Sequence, residues 1–295
     1  MFVKPSDPKE SGGITMHTKH LAVRRPAALL LAAAAVLATV TTVPAAPAAA
    51  DAPDLRSGFG ITVQRTQPLA GSSRTLVVDI ATSAIDPRAV NGPHQIRITL
   101  PSDYVQRPTA RYPVLYLLHG GAGGRSSQWT SDGGAAEALT AGRPIITVMP
   151  DGGKVGWFTN WRNQSAGAQS WETFHLTQLI PWVDANLRTI AAKQGRAIAG
   201  LSMGGFGAIH YAQQRPDLFA AVASFSGALD LEDQAIRATI VQQTLANGLP
   251  VDGPFGWPIF GLDGRGSPTT RCGGPSGCAA CRSRCTPARA STTPT

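Results

Sequence analysis

Four short apolar runs, separated by stretches compatible with helices, dominate the middle of the chain. The runs are Val114–Leu118, Ile145–Met149, Ala197–Ala199 and Ala220–Ser226. Apolar runs of this length without alternation are typical of strands buried on both faces. Helix-compatible stretches lie near Gly134–Thr140, Trp171–Leu187, Met203–Gln214 and Leu231–Ala246. Strands and helices that alternate in this way predict an α/β fold, with a mostly parallel sheet and helices on both of its faces.

Three stretches nearer the N-terminus alternate between apolar and polar residues. They are Phe59–Arg65, Arg74–Thr82 and His94–Leu100. Alternation with period two predicts β-strands, and we interpret these stretches as antiparallel strands. We therefore expect antiparallel strands first and parallel strands later in the chain.

Glycine-rich polar segments directly follow the four apolar runs. They are His119-Gly120-Gly121, Asp151-Gly152-Gly153, Gly200-Leu201-Ser202-Met203-Gly204 and Ser226-Gly227-Ala228-Leu229-Asp230. In open α/β sheets, ligands bind beyond the carboxyl ends of the strands. The sequence therefore predicts that a functional site lies on this edge of the sheet.

The segment from Gly200 to Gly204 fits the G-x-S-x-G motif, in which a serine sits on a sharp turn between a strand and a helix. A short apolar run precedes the motif and a helix-compatible stretch follows it, as the motif requires. We interpret Ser202 as a nucleophile, and a glycine–serine turn without catalytic meaning is the alternative. A nucleophilic serine also needs two backbone N–H groups for the developing oxyanion. We expect Met203 to supply one and Gly121 the other, and we expect a structural role for His119.

Several blocks resemble the "Putative esterase" family, which includes the antigen 85 mycolyltransferases and esterase D-like enzymes. The matching blocks are YPVLYLLHGG (112–121), MPDGG (149–153), WFTNW (157–161), SWETF (170–174), GLSMGG (200–205) and SGALD (226–230). The resemblance implies an α/β-hydrolase fold, ester hydrolysis or acyl transfer through an acyl-serine, and no cofactor. It also implies that Gly121 and Met203 form the oxyanion hole and that Asp230 holds a sugar substrate. Ala122 stands where the mycolyltransferases have an arginine for trehalose, so the resemblance does not extend to trehalose specificity.

Three tryptophans, Trp157, Trp161 and Trp171, lie between the second and third of the parallel strands. They could line a pocket for an acyl group or a sugar, with Trp157 and Trp161 as the candidates for substrate binding. Ordinary core packing is the alternative.

A base for Ser202 is missing from the expected place. In this fold the acid and the histidine follow the serine along the chain, and the only histidine after Ser202 is His210. Eight residues along a helix correspond to about 12 Å of rise, which is too far for a hydrogen bond. Residues 264–295 contain five arginines and four cysteines but no large apolar residue. We expect this tail to be disordered and interpret it as a shifted reading frame that replaces the last strands, the acid and the histidine. A natural disordered tail is the alternative, which explains the composition but not the absent base.

The first fifty residues have the order of a secretory signal peptide. Lys19, Arg24 and Arg25 precede an apolar run from Ala27 to Val40, and small residues lead up to Asp51. Met16 could be the true start, which would make residues 1–15 an upstream extension. The apolar run is shorter than the roughly 20 residues that a membrane span needs, so we expect secretion without stable membrane insertion.

The positive charge of the chain lies at its two ends. The net charge is +8, of which +3 comes from residues 1–50 and +5 from residues 264–295. The body, residues 51–263, is therefore neutral, and a nucleic-acid partner is not expected. All four cysteines (Cys272, Cys278, Cys281 and Cys285) lie in the tail, where disulfides are favoured over a metal site.

Two functions are compatible with these sequence features. The first is a secreted serine esterase or acyltransferase that acts on small-molecule, lipid or sugar acyl esters, in a copy without its histidine. The second is a non-catalytic secreted protein that uses the same fold to bind carbohydrate, cell wall or matrix.

Overall fold

The computed structural model describes residues 53–121, 124–131 and 136–256. The expected signal segment 1–50, the tail 264–295 and Ala122 therefore lie outside the described residues. In the described part of the chain, no helix is both long enough and apolar enough to cross a membrane.

Within the described residues, seven strands form one sheet in the order β1-β2-β3-β5-β4-β6-β7. The strands are β1 (Ile61–Pro68), β2 (Thr75–Thr82), β3 (His94–Thr99), β4 (Val114–Leu118), β5 (Ile146–Pro150), β6 (Arg196–Leu201) and β7 (Ala221–Phe225). The neighbours β1/β2, β2/β3 and β3/β5 are antiparallel, whereas β5, β4, β6 and β7 run parallel. The prediction of antiparallel strands followed by parallel strands is thus confirmed.

The part of the chain that the structure describes contains five α-helices, which lie between or after these strands. They are α1 (Ala136–Leu139), α2 (Trp171–Thr173), α3 (Ile180–Asn186), α4 (Met203–Gln214) and α5 (Gln234–Ala246). Short 3₁₀ turns cover Pro87–Ala89, Ser126–Trp129 and Lys193–Gly195.

The predicted helix Trp171–Leu187 is interrupted by a π-helical segment, Phe174–Leu179, between α2 and α3. The N–H of Ile180 donates to the carbonyl of His175, five residues earlier. The next residue, Pro181, has no N–H to continue an α-helical ladder. The wider turn at this point therefore has a local cause in the sequence.

Apolar side chains cover both faces of the sheet. Along β4, Tyr116 and Leu118 belong to the larger hydrophobic cluster, which also contains Phe206 and Tyr211 of α4. The residue between them, Leu117, belongs to a smaller cluster on the other face. This period-two alternation inside a continuous apolar run is expected for a strand that is buried on both sides.

The strand order changes direction at β4. The chain goes from β4 to β5 on one side and then returns to β6 on the other side. Such a reversal leaves a crevice at the carboxyl ends of the neighbouring strands, which is where α/β sheets bind ligands. The segment His119–Gly121 and the segment around Ser202 therefore come together at this switch point.

Strand β7 is the last strand of the sheet within the described residues, and it pairs only with β6. Its side chains are largely exposed, with Val222 at 43% and Phe225 at 53% of their full accessibility. The sheet order, the parallel half and the strand–turn–helix at Ser202 together make this an α/β-hydrolase fold.

Candidate active site

Ser202 occupies a sharp turn between β6 and α4. Its backbone has φ 53° and ψ −116°, a left-handed conformation that is strained for a residue with a side chain. The side chain is exposed to solvent. Strain of this kind, on a serine that leads directly into a helix, is the geometry of a nucleophile elbow.

The glycines of the motif allow this turn to form. A Cβ atom on Gly200 would overlap the carbonyl oxygen of Gly204, and a Cβ atom on Gly204 would overlap the carbonyl oxygen of Leu118. The glycines are therefore required because the turn packs against itself and against the end of β4.

The loop after β4, residues His119–Gly121, packs against the elbow. The register of β4 and β6 places Leu118 beside Gly200. A Cβ atom on Gly120 would lie 3.6 Å from Cβ of Ser202, and one on Gly121 would lie 3.7 Å from Cβ of Met203. The structure therefore brings Gly121, Ser202 and Met203 together.

A glutamine holds this loop from the other side. Oε1 of Gln128 accepts the backbone N–H of Gly120 at 2.7 Å. Gln128 belongs to the 3₁₀ turn Ser126–Trp129, and no sequence motif marks it. Since that N–H is already paired, the next N–H along the loop, that of Gly121, is the candidate donor.

His119 is fully buried and both of its ring nitrogens have partners. Nδ1 donates to the carbonyl of Gly120 at 2.7 Å, and Nε2 accepts the N–H of Gly152 at 2.7 Å. Burial lowers the pKa of His119, which keeps the ring neutral. The side chain therefore links the loop after β4 to the loop after β5, which is a structural role.

Trp157 contacts the residue that follows the nucleophile. Its backbone N–H donates to Sδ of Met203 at 3.4 Å, and its ring packs against Phe206 and Phe255. Trp157 and Phe158 both have positive φ, 53° and 50°. Consecutive strained residues beside a candidate site are characteristic of functional segments.

The other two tryptophans have partners of their own. The indole N–H of Trp161 donates to the carbonyl of Gly156 at 3.0 Å. The indole N–H of Trp171 donates to Oε1 of Gln169 at 2.7 Å. Gly253 lies so close over the Trp161 ring that a Cβ atom there would overlap it. Core packing therefore accounts for the positions of both rings.

Asp230 lies on the surface after β7. Its Oδ1 accepts the backbone N–H of Glu232 at 2.9 Å, a local turn contact. Among the residues that the structure describes, no hydrogen bond joins Asp230 to Gly121, Ser202 or Met203.

None of the four histidines in the described ranges forms a hydrogen bond to Ser202. His210 pairs through Nε2 with Oε2 of Glu172 at 3.0 Å.

The buried His175 also has partners for both of its ring nitrogens. Its Nε2 donates to the carbonyl of Asp151 at 3.0 Å, and its Nδ1 accepts the hydroxyl of Tyr211 at 2.8 Å. Burial lowers the pKa of His175 to about 3 and that of His94 to about 4. Within this part of the chain, therefore, no histidine acts as a hydrogen-bonding base for Ser202.

One further side chain reaches the site from α5. Oε1 of Gln243 would lie 3.2 Å from a Cβ atom on Gly121. The sequence predicts the helix but not this contact, because the register of a helix against a distant loop has no local signal. Over the same described residues, no group of three or more His, Cys, Asp or Glu side chains could hold a metal ion.

Relatives with known names match parts of the chain. An esterase of Mycobacterium tuberculosis is 50% identical over 137 residues, which are 46% of this chain and 29% of the esterase. The MPT51/MPB51 antigen of Mycobacterium tuberculosis is 31% identical over 191 residues, 60% of each protein. The chain thus spans less than two thirds of the length of either relative.

Among solved structures, a ferulic acid esterase is similar with 25% identity and a TM-score of 0.43. The similar region covers 60% of this chain and 88% of that structure. Residues 88–256, more than half of the chain, match the family described as "Putative esterase", and the chain belongs to that family.

Proposed function

We propose that this chain is a serine esterase or acyltransferase in which Ser202 attacks the carbonyl carbon of an acyl ester. One observation carries the proposal. The strained, exposed Ser202 and the residue after it, Met203, pack directly against Gly120 and Gly121 at the switch point of the sheet. This arrangement suits a nucleophile with two backbone donors beside it.

The reaction follows from the positions of these atoms. Oγ of Ser202 forms a bond to the carbonyl carbon while its proton passes to a base, and the carbonyl oxygen becomes negatively charged. The N–H groups of Gly121 and Met203 stabilise that charge. The bond to the leaving alcohol then breaks as the base returns the proton to the alcohol oxygen. Water or another alcohol removes the acyl group in the second half of the reaction.

On the substrate side, the proposal assigns roles to Asp230, Ala122 and Trp157. It leaves Trp161 out, because that ring is packed against Gly253 and its indole N–H donates to Gly156. Trp157 has the strongest support, because its backbone N–H contacts Met203. Asp230 is exposed on the rim after β7 and could hold the alcohol part of a substrate, such as a sugar. We assign no cofactor to the reaction, since the proposed steps need only Ser202, a base, two backbone N–H groups, the ester and the water or alcohol that accepts the acyl group.

This chain does not supply a base for Ser202 in the expected place. Only His210 follows Ser202 in the sequence, and it pairs with Glu172. We propose that this chain contains no base for Ser202 and that its steady-state hydrolysis of a p-nitrophenyl ester is close to the uncatalysed rate. A rate typical of serine esterases that disappears in the Ser202→Ala variant would contradict this.

The same histidine contacts favour the second candidate, a non-catalytic binding protein on this fold. If it is correct, Ser202 should stay unmodified even when a base is supplied. A glycan array with the secreted protein would then show binding that the Ser202→Ala variant retains.

We also propose that residues 1–50 direct secretion and that the mature chain begins at Asp51. The esterase domain would then cover residues 51–263, with residues 264–295 as a tail outside it. The order of basic, apolar and small residues before Asp51 supports the cleavage site. N-terminal sequencing of the secreted protein tests it, and a start before Val40 would contradict it.

The direct test of the chemistry is labelling by a fluorophosphonate in the presence of imidazole, which replaces the missing base. We expect an adduct on the peptide that contains Ser202, found by mass spectrometry. No adduct on Ser202, with the protein shown to be folded by circular dichroism, would refute the proposed function.

A further inference from the structure

The side chain of Gln243, on the inner face of α5, contacts the loop His119–Gly121. Ile240 and Thr244 of this helix are buried against the body of the protein. Gln243 is three residues after Ile240 and adjacent to Thr244, so it lies on the same side of the helix. Asp233 fixes the start of α5, since its carboxylate accepts the N–H groups of Ala235 and Ile236.

The carboxamide of Gln243 lies directly against the proposed oxyanion loop. A Cβ atom on Gly121 would be 3.2 Å from Oε1 of Gln243 and 3.6 Å from Sδ of Met203. Gln243 and Met203 therefore flank Gly121 together. A substrate whose carbonyl oxygen reaches Gly121 must pass close to this carboxamide.

The two glutamines at the loop differ in what they already bind. Oε1 of Gln128 is occupied by the N–H of Gly120. The half-buried Gln243 side chain forms no hydrogen bond to any residue that the structure describes. A carboxamide has two N–H donors, so the amino group of Gln243 is available to a bound molecule.

We infer that Gln243 is a specificity-determining residue that donates Nε2–H to an oxygen atom of the acyl group. The inference rests on the proposed function of Ser202. The preferred substrates are acyl esters with an ether, hydroxyl or carbonyl oxygen within a few bonds of the ester carbonyl. A plain alkyl chain removes water from the amino group without replacing its hydrogen bond, and buried donors without a partner are costly.

The test compares two fluorophosphonates of equal length, one with a 2-methoxyethyl group and one with a butyl group on phosphorus. Both react in the same way. Oγ of Ser202 forms a bond to phosphorus, fluoride leaves, and the proton of the hydroxyl passes to imidazole. The measured quantity is the ratio of the two labelling rates at Ser202, which cancels differences in serine reactivity.

We expect the wild-type protein to favour the methoxyethyl probe and the Gln243→Leu variant to reduce the ratio about twofold to tenfold, the range of one neutral hydrogen bond. Gln243→Glu, which keeps the size of the side chain but removes its N–H donors, should also reduce the ratio of the labelling rates. Gln242→Leu is the matched control, because Gln242 is the exposed neighbour on the same helix. Its ratio should equal that of the wild type.

The outcomes separate the two proposals. Labelling at Ser202 with the same ratio in wild type and Gln243→Leu refutes the role of Gln243 and leaves the proposed function intact. If neither probe labels the folded wild type, the proposed function is refuted, and the role of Gln243 is refuted as well. An equal loss of the ratio in Gln242→Leu would show a general effect of α5 and would also refute the specific role.

Discussion

The backbone N–H of Ser202 donates to the carbonyl oxygen of Phe225 at 2.8 Å. This bond continues the ladder between β6 and β7 by one residue, since Leu201 is already beside Phe225. It also occupies the N–H of the serine itself. The first N–H groups of a helix have no partner inside that helix, so the N–H of Met203 at the start of α4 is the next donor along the chain.

The tight packing of the elbow predicts that Gly204→Ala is strongly destabilising. The new methyl group would overlap the carbonyl oxygens of Leu118 and His119, so the end of β4 or the turn must move. We expect a loss of about 1–3 kcal/mol in the free energy of unfolding, as for other overpacked sites. Urea denaturation measures it. Gly58→Ala is the control, because a Cβ atom there meets no other atom within 4 Å, and equal losses in both variants would contradict this explanation.

The contact between Gln128 and Gly120 predicts that Gln128→Ala lowers both the stability of the fold and the reactivity of Ser202. Gln128→Ala leaves the N–H of Gly120 without its acceptor and frees the loop that carries Gly121. We expect a loss of about 1 kcal/mol in stability and slower labelling of Ser202 by a fluorophosphonate. Ser127→Ala, in the same 3₁₀ turn, should change neither quantity. Unchanged labelling in a destabilised Gln128→Ala variant would show that the loop does not contribute to the reaction.

The buried histidines predict that stability falls in mild acid. Burial lowers the pKa of His175 to about 3, whereas an unfolded histidine has a pKa near 6.5. The folded state therefore keeps the ring neutral, and its contribution to stability is present above about pH 6.5 and is lost as the pH falls towards 3. His94, with a pKa lowered to about 4, acts in the same direction.

Urea denaturation at pH 7.5 and pH 5.0 measures this effect. We expect His175→Gln to reduce the difference between the two pH values by about 2 kcal/mol, since its ring would no longer take up a proton on unfolding. An unchanged pH difference in the variant would mean that His175 is not held neutral in the fold.

Much of the fold could be predicted from the sequence because the signals are local. The strand Val114–Leu118 and the helix Met203–Gln214 have the predicted bounds. β6 is longer than predicted, Arg196–Leu201 rather than Ala197–Ala199, because its ladders with β4 and β7 extend beyond the apolar core of the run. The helical pattern does not predict the π-helical segment that begins at Phe174, although Pro181 is a visible cause of it.

The candidate site could be predicted only where a motif marks it. Gly121, Ser202 and Met203 belong to the glycine-rich loop after β4 and to the G-x-S-x-G turn, and these two motifs predict their positions. Gln128 and Gln243 do not, because they reach the loop by packing of elements that are distant in sequence. The same limit applies to Trp161, whose ring lies against Gly253 from a distant part of the sequence.

The most direct test of the central claim is acylation of Ser202 by p-nitrophenyl butyrate with imidazole as the added base. Peptide mapping by mass spectrometry locates the butyryl group, and Ser226→Ala is the matched control because Ser226 is also exposed with a positive φ of 49° at a strand end. We predict butyrylation of Ser202 in the wild type and in Ser226→Ala, and none at this position in Ser202→Ala. A folded wild-type protein in which Ser202 stays unmodified, or is modified no faster than Ser226, would contradict the account.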